Sequence, residues 1–414
     1  MKRHIDRIKG VVPNTHKEID IALNGRNLII TGSNGSGKTC LLKELDRKVD
    51  LLIGKKQLAD KSTIERYVQM FKEDVHSSQN GTTKNDRAKN NLESQIAQLE
   101  KINSGLDIAF IDHLDFSSKL DNGTAVLSFF EAHRRSNITS ANTAKGIEIE
   151  RTSILNNTPN DTRRNQIGNN LEQHLVNLRN RRSLAITEDN DQLLASNIEH
   201  WFSAFEESLK YLLEDETAKL SFNSDTLKFT IIQANKPAYT FQSISSGYQA
   251  IFDIYADLLM RTEYFEITAE ELTGLVLIDE IDAHLHVSLQ RLVLPFFTRS
   301  FPNLQFIVTT HSPFVLMSAT DTVIFDLTHN EQIEEDISLY SHTAVMEGLL
   351  GTKATSTHLD NYINEVASII NMNKVDYERL ELLVGKLKNV ENSLDSKSKA
   401  FFLKGLNILA EKEL

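Results

Sequence analysis

Eight consecutive residues, Gly32-Ser33-Asn34-Gly35-Ser36-Gly37-Lys38-Thr39, have the types and spacing of a phosphate-binding loop. Its glycines let backbone N–H groups curl around a β-phosphate at an approach that a Cβ would forbid. Asn34, Gly35, Ser36 and Gly37 form the cradle in this reading. Lys38 reaches the β- and γ-phosphates, the Thr39 hydroxyl holds Mg2+, and the N-terminus of the following helix adds its dipole. A glycine turn alone would mean little. The apolar strand before it and the helix after it predict a nucleotide site.

Three further groups carry chemistry. Leu275-Val276-Leu277-Ile278 is an apolar run that ends in Asp279 and Glu280. Asp279 would support Mg2+ through its water shell, and Glu280 would polarise an attacking water. Without the loop upstream, the same pair would read as a solvated turn. His311 follows a second apolar strand, at the carboxyl end where ligands of open parallel sheets gather, and is placed to contact a γ-phosphate. Finally, Ser245, Ser246, Gly247 and Gln249 open the helix ahead of the carboxylate strand and offer a second anion-binding helix N-terminus. Serine is common at any N-cap, so this last signal depends on its place in the order.

The elements around these groups predict an α/β fold. Asn27–Ile30 reads as a strand, and Leu41, Leu42, Leu45 and Val49 fall at helical spacing after the loop. From Gly247 to Leu327 helices alternate with the apolar strands Leu275–Ile278, Phe306–Val308 and Val323–Phe325, the pattern of a parallel sheet covered on both faces. Alternation at Leu220–Asn223 and Leu227–Gln233 adds an antiparallel part. Stripes at Ile64–Val75 and Leu92–Ile102 predict a helical hairpin over 62–104. A strand is expected at Asp107–Ile111 and a helix from about Asn190 to Glu214, whereas Ala125–Phe130 fits either strand or helix. Four regions result: 1–58 with the loop, an insertion over 59–215, a second lobe over 216–330, and a helical region over 331–414.

Composition bounds the rest. The chain has 414 residues, 40% hydrophobic and 25% charged, with a formal charge of −12 and a single cysteine, Cys40. It can bury a core, it forms no internal disulfide, and its overall field repels phosphate unless a basic patch intervenes. No apolar run is long enough for a membrane helix, and Met1-Lys2-Arg3-His4-Ile5-Asp6 lacks the apolar stretch of a secretory leader. A cytoplasmic location is expected.

In their order along the chain, the loop, Ile244-Ser245-Ser246-Gly247-Tyr248-Gln249, the carboxylate strand and His311 resemble the ABC-type ATPases, in the soluble branch that contains SMC, RecF and OLD-like proteins. Asp279-Glu280-Ile281-Asp282-Ala283-His284-Leu285-His286 looks like the D-E-x-E-A-H-L-H form of anti-phage defence ATPases in Septu, retron and PARIS systems, with Asp282 in place of the commoner Glu. The likeness covers about residues 24–40 and 239–328. It implies a P-loop ATPase head with a mostly parallel sheet, an antiparallel β part, a short helical-hairpin insertion and a helical C-terminal tail. It also implies ATP with Mg2+, and a head-to-tail homodimer or higher even-numbered homo-oligomer in which Ser245 and Gly247 act on the partner's nucleotide. The family's glutamine loop has no clear counterpart; Glu131, His133 or Arg134 takes its place if Ala125–Phe130 is a strand.

Three functions fit this resemblance. The first is the ATPase of an anti-phage system with a separate effector, a nuclease, because the residues after Val323–Phe325 are too few for a Toprim domain. A RecF-like repair ATPase is the second. The third, a transporter subunit, sits poorly with about 200 residues between loop and signature. Residues 131–182 carry a net +4. Their Arg134, Arg135, Arg163, Arg164, Arg179, Arg181 and Arg182 either line a nucleic-acid groove or form an ordinary solvated face. His284 and His286 read as structural rather than metal-binding. In the tail, Leu380, Leu382, Leu383, Leu387 and Val390 offer a simple packing face, and Phe401, Phe402, Leu403, Leu406 and Leu409 offer a face that docks a partner effector.

Overall fold

The computed structural model describes residues 3–77, 83–134, 138–157, 167–351, 355–372, 374–391 and 394–412. The chain divides into two compact units, Met1–His342 and Thr343–Leu414.

In the first unit, β1 (Ile5–Val11) and β2 (Glu18–Ala22) pair antiparallel. After them β3 (Asn27–Thr31) runs fully buried into the glycine-rich loop and α1 (Lys38–Val49). The hairpin of α2 (Gln57–Ser77) and α3 (Thr83–Asn103) follows; Lys48 ties it back by donating from Nζ to Ile102 O at 2.7 Å. Next come β4 (Asp107–Phe110), which pairs with β1, then α4 (His113–Asp121) and β5 (Ala125–Phe130). Helices α5 (Ile147–Asn157), α6 (Leu171–Thr187) and α7 (Gln192–Leu213) precede an antiparallel meander of β6 (Lys219–Asn223), β7 (Lys228–Gln233) and β8 (Lys236–Tyr239). The last stretch alternates α8 (Ser246–Phe265), β9 (Thr273–Ile278), α9 (Val287–Ser300), β10 (Leu304–Thr309), α10 (Pro313–Ser318), β11 (Thr322–Asp326) and β12 (Glu331–Ile333).

Among the described residues the central sheet has the order β12-β11-β3-β10-β9-β5. Every neighbouring pair is parallel except β11 with the edge strand β12. Ala125–Phe130 is therefore a strand, and it supplies the far edge. Its period was ambiguous because Val126, Leu127 and Phe130 are buried on both of its faces. One side of the sheet packs Leu28, Ile30, Leu275 and Ile307 against Leu41, Leu42 and Leu45 of α1 and the β1–β2 layer. Phenylalanines fill the other side, with Phe306 stacking on Phe297 of α9 at 5.9 Å and Tyr255 of α8 against Phe296 at 5.0 Å. All five parallel strands thus bring their carboxyl ends to one edge.

In the second unit the helices Thr357–Ile370, Tyr377–Lys388 and Ser396–Lys412 pack around a core of Ile363, Val366, Ile369, Leu380, Leu383, Val384, Leu387 and Phe402. Of the five tail residues considered for docking, Phe402 is buried in this core and Phe401, Leu406 and Leu409 pack against it. Leu403 stays exposed.

Candidate nucleotide site

The loop after β3 takes its shape from backbone that only glycine adopts readily: Gly32, Gly35 and Gly37 have φ of 135°, 77° and 105°. A Cβ on Gly37 would stand 3.0 Å from Thr15 Cγ2 and 3.2 Å from Val12 Cγ1, so the β1–β2 turn presses directly on the loop. Asn34 and Gly35 are exposed and Ser36 is buried. Lys38, only 6% exposed, donates from Nζ to the carbonyls of Gly32 and Ser33 at 3.0 Å each. Burial lowers its pKa, against the raising fields of Glu280, Asp279, Asp282 and Asp326. A poorly solvated ammonium held at the loop by two backbone carbonyls is well prepared to take a phosphate, while the carboxylates nearby keep it charged.

Asp279 forms the hub of the strand ends. Its Oδ1 accepts from Thr39 Oγ1 at 3.2 Å and from Thr309 Oγ1 at 2.6 Å, joining α1, β9 and β10. The Thr39 and Asp279 oxygens are hard donors of the kind Mg2+ takes, and Ser36 Oγ is buried without a hydrogen-bond partner among the described residues. The residues present therefore fit a nucleotide with its magnesium ion. Glu280 follows, exposed, with φ of 45°.

His311 is half-buried one residue beyond Thr310, whose hydroxyl donates to Asp282 and accepts from Ser312 N at 2.9 Å. Burial lowers the His311 pKa, and the Lys38 charge lowers it further. The imidazole is thus held in its neutral form beside the loop lysine.

Ser245 is the N-cap of α8, with Ser245 and Ser246 exposed and Gly247 buried where a Cβ would meet His284 O at 3.1 Å. Gln249 is half-buried, and its N–H donates to Ser245 O at 2.9 Å. Burial raises the Tyr248 pKa, and the Glu214 charge raises it further. The structure therefore brings Lys38, Thr39, Asp279, Glu280 and His311 together at the sheet edge. It presents the α8 serines outward, with no hydrogen bond to the loop among the described residues.

The arginines divide between buried and surface positions. Arg134 is buried, with its guanidinium under the Asp279–Ile281 turn, and so faces no groove. Arg179 and Arg182 both pair with Glu199 of α7, and the Arg179 guanidinium lies 3.8 Å from the Phe202 ring centroid. Arg181 is exposed; Arg135, Arg163 and Arg164 lie outside the described residues. Sequence reasoning also missed Thr309, Thr310 and Thr328, the last accepting from Ser33 N at 2.7 Å. Threonines after an apolar strand are an everyday pattern, and only the sheet order shows what they face.

A family model described as "AAA domain, putative AbiEii toxin, Type IV TA system" matches residues 28–318, more than half of the chain. The chain belongs to this family. A curated relative is the "Retron Ec83 probable ATPase" of Escherichia coli, 40% identical over 86 residues, 20% of this chain and 16% of the relative. Septu protein PtuA of Bacillus mycoides (strain KBAB4) is 38% identical over 117 residues, 27% of this chain and again 16% of the relative. The alignments thus span less than a fifth of these relatives' own length. Among solved structures, the SMC head domain from Thermotoga maritima aligns over 80% of this chain and 97% of that one, at 11% identity and a TM-score of 0.35.

Proposed function

We propose that the chain is an ATP-binding and ATP-hydrolysing subunit of a prokaryotic anti-phage defence complex, cytoplasmic, that dimerises head-to-tail around ATP and controls a separate effector, a nuclease. The observation that carries the reading is the Asp279 hub, where Thr39 of the loop, Thr309 of β10 and the Asp279–Glu280 pair meet at one sheet edge. The similarity to a retron ATPase and to a Septu protein supports the defence setting.

In this mechanism the loop amides and Lys38 bind the phosphates of ATP. Thr39, and Asp279 through a water shell, would hold Mg2+, which would neutralise charge on the phosphates. Glu280 takes the proton of the attacking water, and neutral His311 contacts the γ-phosphate. Ser245, Ser246, Gly247 and Gln249 serve the nucleotide of the partner subunit. The exposure of Ser245 and Ser246 suits that role, because hydroxyls at an exposed helix N-terminus are free to donate to a phosphate carried by another subunit. Residues 1–58 and 216–330 act as the lobes of the head, 59–215 as the insertion, and 331–414 as the region open to an effector. No helix among the described residues is long and apolar enough to cross a membrane.

ATP turnover by the purified chain, together with phage plating of cells carrying it with its genetic neighbours, tests the reading. Protection that requires both ATP turnover and a neighbouring nuclease gene supports it. Turnover without any effect on phage would favour a repair ATPase.

A further inference from the structure

Asp279, Glu280 and Ile281 leave the end of β9, and every backbone polar group in the three has a partner. Asp279 N donates to Phe130 O at 2.9 Å and Ile281 N to Thr309 O at 3.0 Å. Glu280 N donates to Thr309 Oγ1 at 2.7 Å. All three carbonyls accept from one side chain. Arg134 Nη1 donates to Asp279 O at 2.6 Å, while Nη2 donates to Glu280 O at 2.9 Å and to Ile281 O at 3.4 Å. Nη1 also donates to Glu131 O at 2.8 Å, which fixes the arginine's own loop.

We propose that Arg134 is a positioning residue for hydrolysis: it clamps the turn that aims the Glu280 carboxylate, without touching the nucleotide. The proposal rests on the ATPase reading above and goes beyond it.

Three observations support the clamp. Glu280 has a φ of 45°, a left-handed conformation that costs a non-glycine residue about 1 kcal/mol and persists only where the surroundings fix it. Arg134 is 6% exposed, so its bonds compete little with water. Its planar fork presents donors in a fixed geometry that spans several carbonyls, which a lysine ammonium on a flexible stem does not reproduce. Burial lowers the Arg134 pKa, and the field of Asp253 on α8 opposes this most, followed by Asp279, Asp282 and Glu280. A cation is kept at this spot by carboxylates from both the signature helix and the β9 turn.

The test compares Arg134→Lys and Arg134→Gln, each in wild-type and Glu280→Gln backgrounds. Single-turnover ATP hydrolysis and the Kd for a fluorescent N-methylanthraniloyl ATP analogue are measured for each. The lysine variant keeps a cation at the site should the glutamine variant fail to fold. Either substitution is expected to slow hydrolysis about 30-fold while the Kd changes less than about threefold; in the Glu280→Gln background the further loss is less than about threefold, because residues acting as a unit are not additive. Three results overturn the proposal. They are hydrolysis within about threefold of wild type, a Kd that weakens in step with the rate, or losses that multiply in full with Glu280→Gln. A wild-type protein that does not hydrolyse ATP contradicts the ATPase reading itself and removes the proposal with it.

Discussion

The Thr39 hydroxyl donates to Asp279 Oδ1 at 3.2 Å, although 240 positions separate the two residues in the chain. This bond joins the glycine-rich loop to the carboxylate strand across the intervening β10. Strand order explains it: β3 and β9 flank β10 in register, so their carboxyl ends stand at the same level. The site is therefore a property of the sheet as much as of the motifs.

In the proposed mechanism Lys38 supplies the phosphate-directed charge of the loop. Replacing Lys38 with alanine should weaken ATP binding at least about 100-fold, the loss of a charge-assisted contact in a partly desolvated site. Calorimetric titration with ATP and Mg2+ measures this. Affinity within a few-fold of wild type would remove Lys38 from its role.

Ser245 is exposed at the head of α8, so a larger residue there meets solvent within the subunit. Ser245→Arg should leave the melting temperature and single-subunit ATP affinity unchanged and abolish ATP-dependent assembly and turnover. Light scattering with and without ATP provides the check. An assembled, active variant would mean that α8 does not act across an interface.

His174 lies 2% exposed, with Nε2 3.2 Å from Glu263 and Nδ1 3.7 Å from Glu150. Burial on its own pushes the imidazole pKa down, but the carboxylates of Glu150 and Glu263 outweigh it and raise the value to about 9. A raised folded-state pKa stabilises the protein fully below the unfolded value of 6.5, and that stabilisation disappears as pH rises through about 9. The unfolding free energy should therefore fall between these pH values, by at most about 1.4 kcal/mol per pH unit from this group, and the melting temperature should fall with it. His174→Gln should flatten that slope. A wild-type profile with no decline over the window would contradict the charged state.

Gly274 sits opposite Val126 in the β5–β9 pairing, with φ of 127°. A Cβ there would fall 2.0 Å from Val126 O, so β5 and β9 would have to part. Gly274→Ala should cost on the order of 3 kcal/mol in denaturant unfolding. A variant as stable as wild type would show that the strand edges yield.

Much of this was legible in the sequence, for identifiable reasons. The loop, the apolar strands Leu275–Ile278 and Phe306–Val308, and their alternation with helices carry local signals of spacing and hydropathy, and these map onto β9 and β10. The meander was seen as two strands; the third, β8, begins Lys236-Pro237 and lacks an apolar alternation. Arg134 was misread because nothing in Glu131–Arg135 reveals that β5 lies beside β9. Once that pairing is known, the residue just beyond β5 falls under the Asp279 turn. In the tail, the apolar face around Phe402 was legible as a face, but its occupant, the other two helices, was not.

The central claim is that ATP is bound and hydrolysed between two copies of the chain. Glu280→Gln measured by light scattering, with and without ATP and Mg2+, tests it most directly. The account predicts that this variant binds ATP, hydrolyses it at least about 100-fold more slowly than wild type, and doubles in mass when ATP is added. Wild-type turnover in the variant, or an ATP-saturated protein that remains a monomer, would contradict it.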